Sequence, residues 1–153
     1  MARQTTKEKG ADRTSAVNCF NGTWRLLEKR RRTPEEDLRM IHMAHASVHH
    51  WLVAGKPPNW AIGEWQVSHV YAVLRRPEPA LYHAKRCLAV CRKAGLRDFY
   101  LAYACEALTR AFLVAGRRRE ARRFFELAKR AGKAIKEEDD RKLFEQDLKT
   151  IRL

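Results

Sequence analysis

No stretch of this chain holds the roughly 18 consecutive apolar residues that a bilayer-crossing helix needs, and Met1-Ala2-Arg3-Gln4 runs on into charge rather than into a signal-peptide apolar segment. A cytoplasmic protein with no membrane partner is the expectation. Strand-like alternation bounded by turn dipeptides is also missing, which argues against a β-sheet fold. Cysteine is too sparse for a disulfide framework. The four residues Cys19, Cys87, Cys91 and Cys105 lie in apolar helical surroundings and read as reduced, buried thiols. Acidic residues are in deficit, 18 against 32 lysines and arginines, leaving a formal net charge of +14.

What is present fits one domain, because 153 residues can bury a sufficient core without disulfides or metals. The charge is concentrated. Residues 1–32 carry nine basic and three acidic side chains, and residues 117–133 carry eight and two. Candidate polyanion-binding residues are Lys29, Arg30, Arg31 and Arg32 in the first cluster and Arg117, Arg118, Arg119, Arg122 and Arg123 in the second. Both runs fall at helix junctions, where cations also favour a helix C-terminus or simply solvate a turn.

Thr33-Pro34-Glu35-Glu36 is a helix start: a hydroxyl cap, proline at the first helical position, and acids against the positive end of the dipole. Stops follow at Gly55 with Lys56-Pro57-Pro58-Asn59, at Arg76-Pro77, and at Gly95, Gly116 and Gly132. The spacing predicts an all-α chain with helices over 14–31, 34–54, 59–75, 77–94, 98–115, 117–134 and 137–151. Residues 1–12 are expected as a flexible basic arm, with 13–153 a single helical domain. Short turns imply antiparallel neighbours.

An internal echo runs at an offset of 41 residues: Ala80, Ala84 and Cys87 after the turn at Arg75 correspond to Ala121, Phe125 and Ala128 after Gly116, and Ser68 and Tyr71 correspond to Thr109 and Phe112. This arrangement over residues 59–134 resembles the tetratricopeptide-repeat family, although Ala84 is small where that family usually has a large residue, and the spacing exceeds its usual 34 or so. The resemblance implies a right-handed array of antiparallel helix pairs with a concave surface that holds a peptide or partner protein. Stretches such as His45-Ala46-Ser47 and Glu64-Trp65 also resemble small uncharacterised bacterial proteins, which implies no activity.

Polar residues interrupt the predicted apolar faces. At about 100° per residue, Leu38, Ile41, Val48 and Leu52 all fall within about 60° of His45, and His49 falls about 40° away. His45 and His49 therefore meet the i, i+4 spacing that can present two imidazoles to one metal, with Glu64 or Glu106 as further ligands placed by fold alone. The alternative, which we prefer, gives each histidine a structural hydrogen bond, and no metal or cofactor is called for. Ser47 lies on the opposite side of the helix from His45, so the two do not form a nucleophile and its base. Glu106 also falls at the centre of an apolar stripe and requires a partner such as Arg110 or a histidine. A pocket lined by His45, His49, Trp65 and Tyr71 is a ligand-binding candidate. His83, Cys87 and Cys91 recur every four residues as a soft-metal ladder, for which helix packing is the simpler account.

The leading expectation is a non-catalytic interaction module binding a protein or peptide, with basic patches steering an acidic partner. Nucleic-acid binding through residues 1–32 and 117–133 is the first alternative, without a recognised motif to support it. A small-ligand or metal-dependent enzyme using His45, His49, Glu64 and Glu106 is the second. The terminal helices either cap the array or dock another copy of the chain, burial within the monomer being the default.

Overall fold

The computed structural model describes residues 5–153. Among these residues seven helices follow one another: α1 (Thr6–Leu27), α2 (Pro34–Ala54), α3 (Pro57–Val73), α4 (Pro77–Ala94), α5 (Phe99–Val114), α6 (Arg118–Lys133) and α7 (Glu138–Lys149). Among the described residues there is no strand. The start of α2 is as expected: the Thr33 hydroxyl accepts from Glu36 N at 3.2 Å and the Glu36 carboxylate accepts from Thr33 N at 3.0 Å. The same reciprocal cap, built by Thr5 and Glu8, starts α1 at Thr6. Residues 6–12 are thus the first turns of α1, and residues 1–4 of the expected arm lie outside the described residues.

The helices pack as successive pairs, α1 on α2, α3 on α4 and α5 on α6, joined by α2 on α3, α4 on α5 and α3 on α5. Helix α7 rests on α5 and α6. Small residues set the closest approaches. Ala80, Ala84, Ala104, Ala111 and Ala121 are fully buried in the central core, which Leu88, Leu108 and Phe112 fill. Helix α7 is pinned by Phe144, whose ring lies against the Cα of Gly132 where any β-carbon would collide with it.

Helix α2 is rotated from the expected orientation. Its buried residues are Met40, Ile41, Ala44, Ser47 and Val48, whereas Leu38 and Leu52 are 54% and 53% exposed and His49 is exposed. The cause is that α2 is sandwiched between α1 and α3 and must turn its small residues, Ala44 and Ser47, toward them. Ser47 then donates to the Ala16 carbonyl of α1 at 2.8 Å, a buried bond that fixes the rotation.

Candidate functional site

One face of the array is an aromatic cavity of about 450 Å³. Helix α1 contributes Phe20 and Trp24, α3 contributes Ile62 and Trp65, α5 contributes Phe99, Tyr100 and Tyr103, and α7 closes one side with Leu143 and Asp147. The rings form a continuous chain: Trp24 to Trp65 at 5.7 Å between centroids, Trp65 to Tyr103 edge-on at 5.3 Å, and Tyr103 to Phe99 at 4.6 Å. A volume in this range, walled by apolar surface with a few polar groups, is the usual form of a ligand pocket. The floor holds Cys87, which hydrogen-bonds Cys91; that bond and burial push the Cys87 thiol up, so it stays protonated.

Behind this wall lies a satisfied charge network. Glu106, 1% exposed, accepts from Trp65 Nε1 at 2.8 Å and pairs with Arg110 Nε one turn along. Arg110 also donates to the Asp147 carbonyl at 3.1 Å and to Thr150 Oγ1 at 2.8 Å, which ties α5 to the end of α7. Tyr103 donates its phenol proton to Asp147 Oδ2 at 2.6 Å; burial, then that bond, push the phenol well above its ordinary range. His69 stacks on Trp65 at 5.3 Å, and its Nδ1 is buried without a partner. Burial lowers the pKa of His69 and favours the neutral ring, although Glu106 and Asp147 oppose the shift.

A second polar cluster joins α2, α3 and α4. His45 Nε2 meets Tyr71 OH at 2.9 Å, its ring abuts His83 edge-on at 5.2 Å, and Tyr71 stacks on His83. His83 Nδ1 lies 2.6 Å from Glu64 Oε2, and Arg86 Nε donates to Glu64 Oε1 at 3.2 Å. Burial, and next the neighbouring His83, lower the pKa of His45. Of the residues singled out in the sequence, then, His45, Tyr71 and Glu64 come together through His83, while Trp65 and Glu106 belong to the other cluster. His49 joins neither; among the described residues its ring pairs with that of His50 in a 5.4 Å edge contact. Of His45, His49, Trp65 and Tyr71, which the sequence groups as a candidate pocket, Trp65 lines the aromatic cavity and the other three do not. Among the described residues no three His, Cys, Asp or Glu side chains converge as metal ligands, and the His83, Cys87, Cys91 ladder splits toward Glu64, Cys91 and the Tyr100 carbonyl. All four cysteines are free thiols, Cys19 being only half-buried.

On the opposite face, between α4 and α6, runs a groove of about 640 Å³ rimmed by Lys85, Arg92, Lys93 and Arg123 and floored by Leu88, Leu108, Phe112 and Phe124. It continues past Arg92 and Phe124 into a second groove of about 660 Å³ that adds Arg97, Leu127 and Arg130. Neither is lined by a carboxylate. Among the described residues none of these six cations makes an ion pair, in contrast to Lys29 with Glu36, Arg32 with Asp37 and Arg117 with Glu120. The first basic cluster is therefore partly consumed in closing the α1–α2 turn. In the second, Arg117 also lies over the Phe112 ring at 4.8 Å, while Arg118, Arg119 and Arg122 are exposed.

Comparison with protein families, with curated proteins and with solved structures finds no match for this chain. No helix among the described residues is long and apolar enough to cross a membrane. Sequence reasoning missed Phe20, Trp24, Tyr103 and Asp147 as a site because they come from three helices distant in the chain. Helical spacing within α5 carried a partial signal: Phe99, Tyr103 and Glu106 follow one another along one side.

Proposed function

We propose that this protein is a non-catalytic interaction module, a tetratricopeptide-like helical array whose α4–α6 groove binds an acidic amphipathic segment of a partner protein. One observation carries the reading: six unpaired cations surround an apolar floor with no carboxylate among the lining side chains. Helix-in-groove recognition needs that combination, apolar anchors for affinity and complementary charge for encounter and register. The catalytic reading has less support, because neither the aromatic cavity nor the α4–α6 groove is lined by His45, Glu64 or His83.

The test is fluorescence anisotropy with a labelled amphipathic peptide carrying glutamates on one face and leucines on the other. Binding is expected to weaken at least tenfold in an Arg92→Glu, Arg123→Glu double variant and to fall with added salt. A peptide of the same composition with its leucines dispersed around the helix should bind far less. If the dispersed peptide or a single-stranded RNA binds as well as the amphipathic one, charge alone is being read, and the nucleic-acid alternative through Arg117, Arg118, Arg119 and Arg122 takes its place.

A further inference from the structure

The aromatic cavity differs from the α4–α6 groove in the sign of its charge. In a protein of net charge +14, the one charged side chain lining it among the described residues is acidic, Asp147. That carboxylate uses Oδ2 to accept from Tyr103, and among the described residues none donates to its Oδ1. Arg110 reaches only the Asp147 backbone and spends its guanidinium on Glu106 and Thr150, lining a separate, smaller cavity of about 200 Å³ with His69.

We infer that the cavity is a binding site for a small organic cation with an apolar body, such as an aromatic or alkyl ammonium compound. The rings of Trp24, Trp65, Phe99 and Tyr103 would enclose the charge and the Asp147 carboxylate would face it. Aromatic faces carry the negative end of the ring quadrupole, so a box of rings desolvates an ammonium at little cost, and best when the cation is weakly hydrated. Two of the cavity's donors are already committed, Trp65 Nε1 to Glu106 and the Tyr103 hydroxyl to Asp147, and the Asp147 carboxylate opposes an anion. The cavity volume of about 450 Å³ admits a molecule of one ring and several further heavy atoms. This site is on the face away from the α4–α6 groove and its assignment is independent of the partner proposed above.

The experiment compares benzyltrimethylammonium with its neutral carbon isostere, neopentylbenzene, and with phenylacetate, by calorimetry and by the fluorescence of Trp24 and Trp65. Because the long-range field of the protein repels cations, a preference for the ammonium compound reads the cavity and not the surface. The expected result is binding of the cation about tenfold tighter than that of the isostere, with phenylacetate weakest. In Asp147→Asn the cation should fall to near the isostere's level while the isostere is unchanged, which shows the cavity intact. Ile62→Trp, which fills the cavity from α3, should abolish both. Equal binding of cation and isostere, a preference for phenylacetate, or no binding by any of the three would overturn the assignment. So would a cation preference that survives both substitutions.

Discussion

The α3–α4 and α5–α6 pairs place equivalent residues 41 positions apart, and they stack a ring pair at the same point: Tyr71 on His83 with centroids 6.1 Å apart and planes at 15°, Phe112 on Phe124 at 5.5 Å and 20°. One frame therefore holds two different chemistries. In the first pair the second ring is an imidazole that engages buried Glu64, and His45 is drawn in from α2. In the second the rings are hydrocarbon, Cys105 stands where Glu64 would be, and Phe112 and Phe124 become the floor of the cationic groove. A repeat interior tolerates a charge only where the next helix over supplies its partner; where it does not, the same position is apolar and free to face a ligand.

The largest expected effect comes from the bond that ties the two pairs together, between the equivalent residues Trp65 and Glu106. Glu106→Ala leaves Arg110 partly buried and without its carboxylate, and is expected to cost about 3 kcal/mol or more in urea unfolding. A loss below about 1 kcal/mol would mean that the pairs are held by packing alone.

Making the first pair resemble the second is the next test. His83→Phe deprives Glu64, 5% exposed, of its nearest donor and should cost about 1–3 kcal/mol. Replacing the carboxylate as well, in Glu64→Met with His83→Phe, should recover most of that loss, since two apolar partners of similar shape leave nothing unsatisfied. A double variant no better than the sum of its singles would place the cost in the shape of the ring and not in its hydrogen bond.

The smallest effects lie at the turns. Gly116 closes α5 at φ 71°, and at the equivalent turn Arg75 closes α3 at φ 57°. The bonds match as well, Arg76 N to the Tyr71 carbonyl and Arg117 N to the Phe112 carbonyl, each 2.9 Å. Gly116→Ala should destabilise by about 1 kcal/mol and Arg75→Gly should stabilise by about 0.5 kcal/mol, both read from thermal midpoints. A destabilising Arg75→Gly would show that the first turn is held in place by contacts of the arginine side chain that the second turn lacks.

The helices were legible in the sequence because their punctuation is local: the Thr33 cap, proline in the first turn of α2, α3 and α4, and left-handed Gly95 and Gly116. The same local logic offered Arg110, one helical turn away, beside a histidine as the partner of Glu106, and the structure pairs Glu106 with Arg110. The start of α1 was hidden because its first turns, Lys7 to Arg13, carry no apolar face, and only the Thr5 and Glu8 cap marks them. The rotation of α2 was hidden for a different reason. Leu38 and Leu52 outweigh Ala44 and Ser47 in hydrophobicity, yet close helix approach selects for small size, and Ser47 repays its burial with a bond to α1. The cavity was hidden most completely, because its walls come from α1, α3, α5 and α7 and its shape exists only when these are assembled.

Helix α7 supplies Leu143 and Asp147 to that cavity but is itself held at few points, chiefly Phe144 seated on Gly132 and the bonds from Tyr103 and Arg110. Occupancy of the cavity and attachment of this last helix are therefore reciprocal: whatever free energy a guest draws from α7 is returned, by closure of the thermodynamic cycle, as a firmer grip on it. Amide protons along α7 should consequently exchange more slowly when the cavity is filled, so that the edge of the array reports what its interior holds.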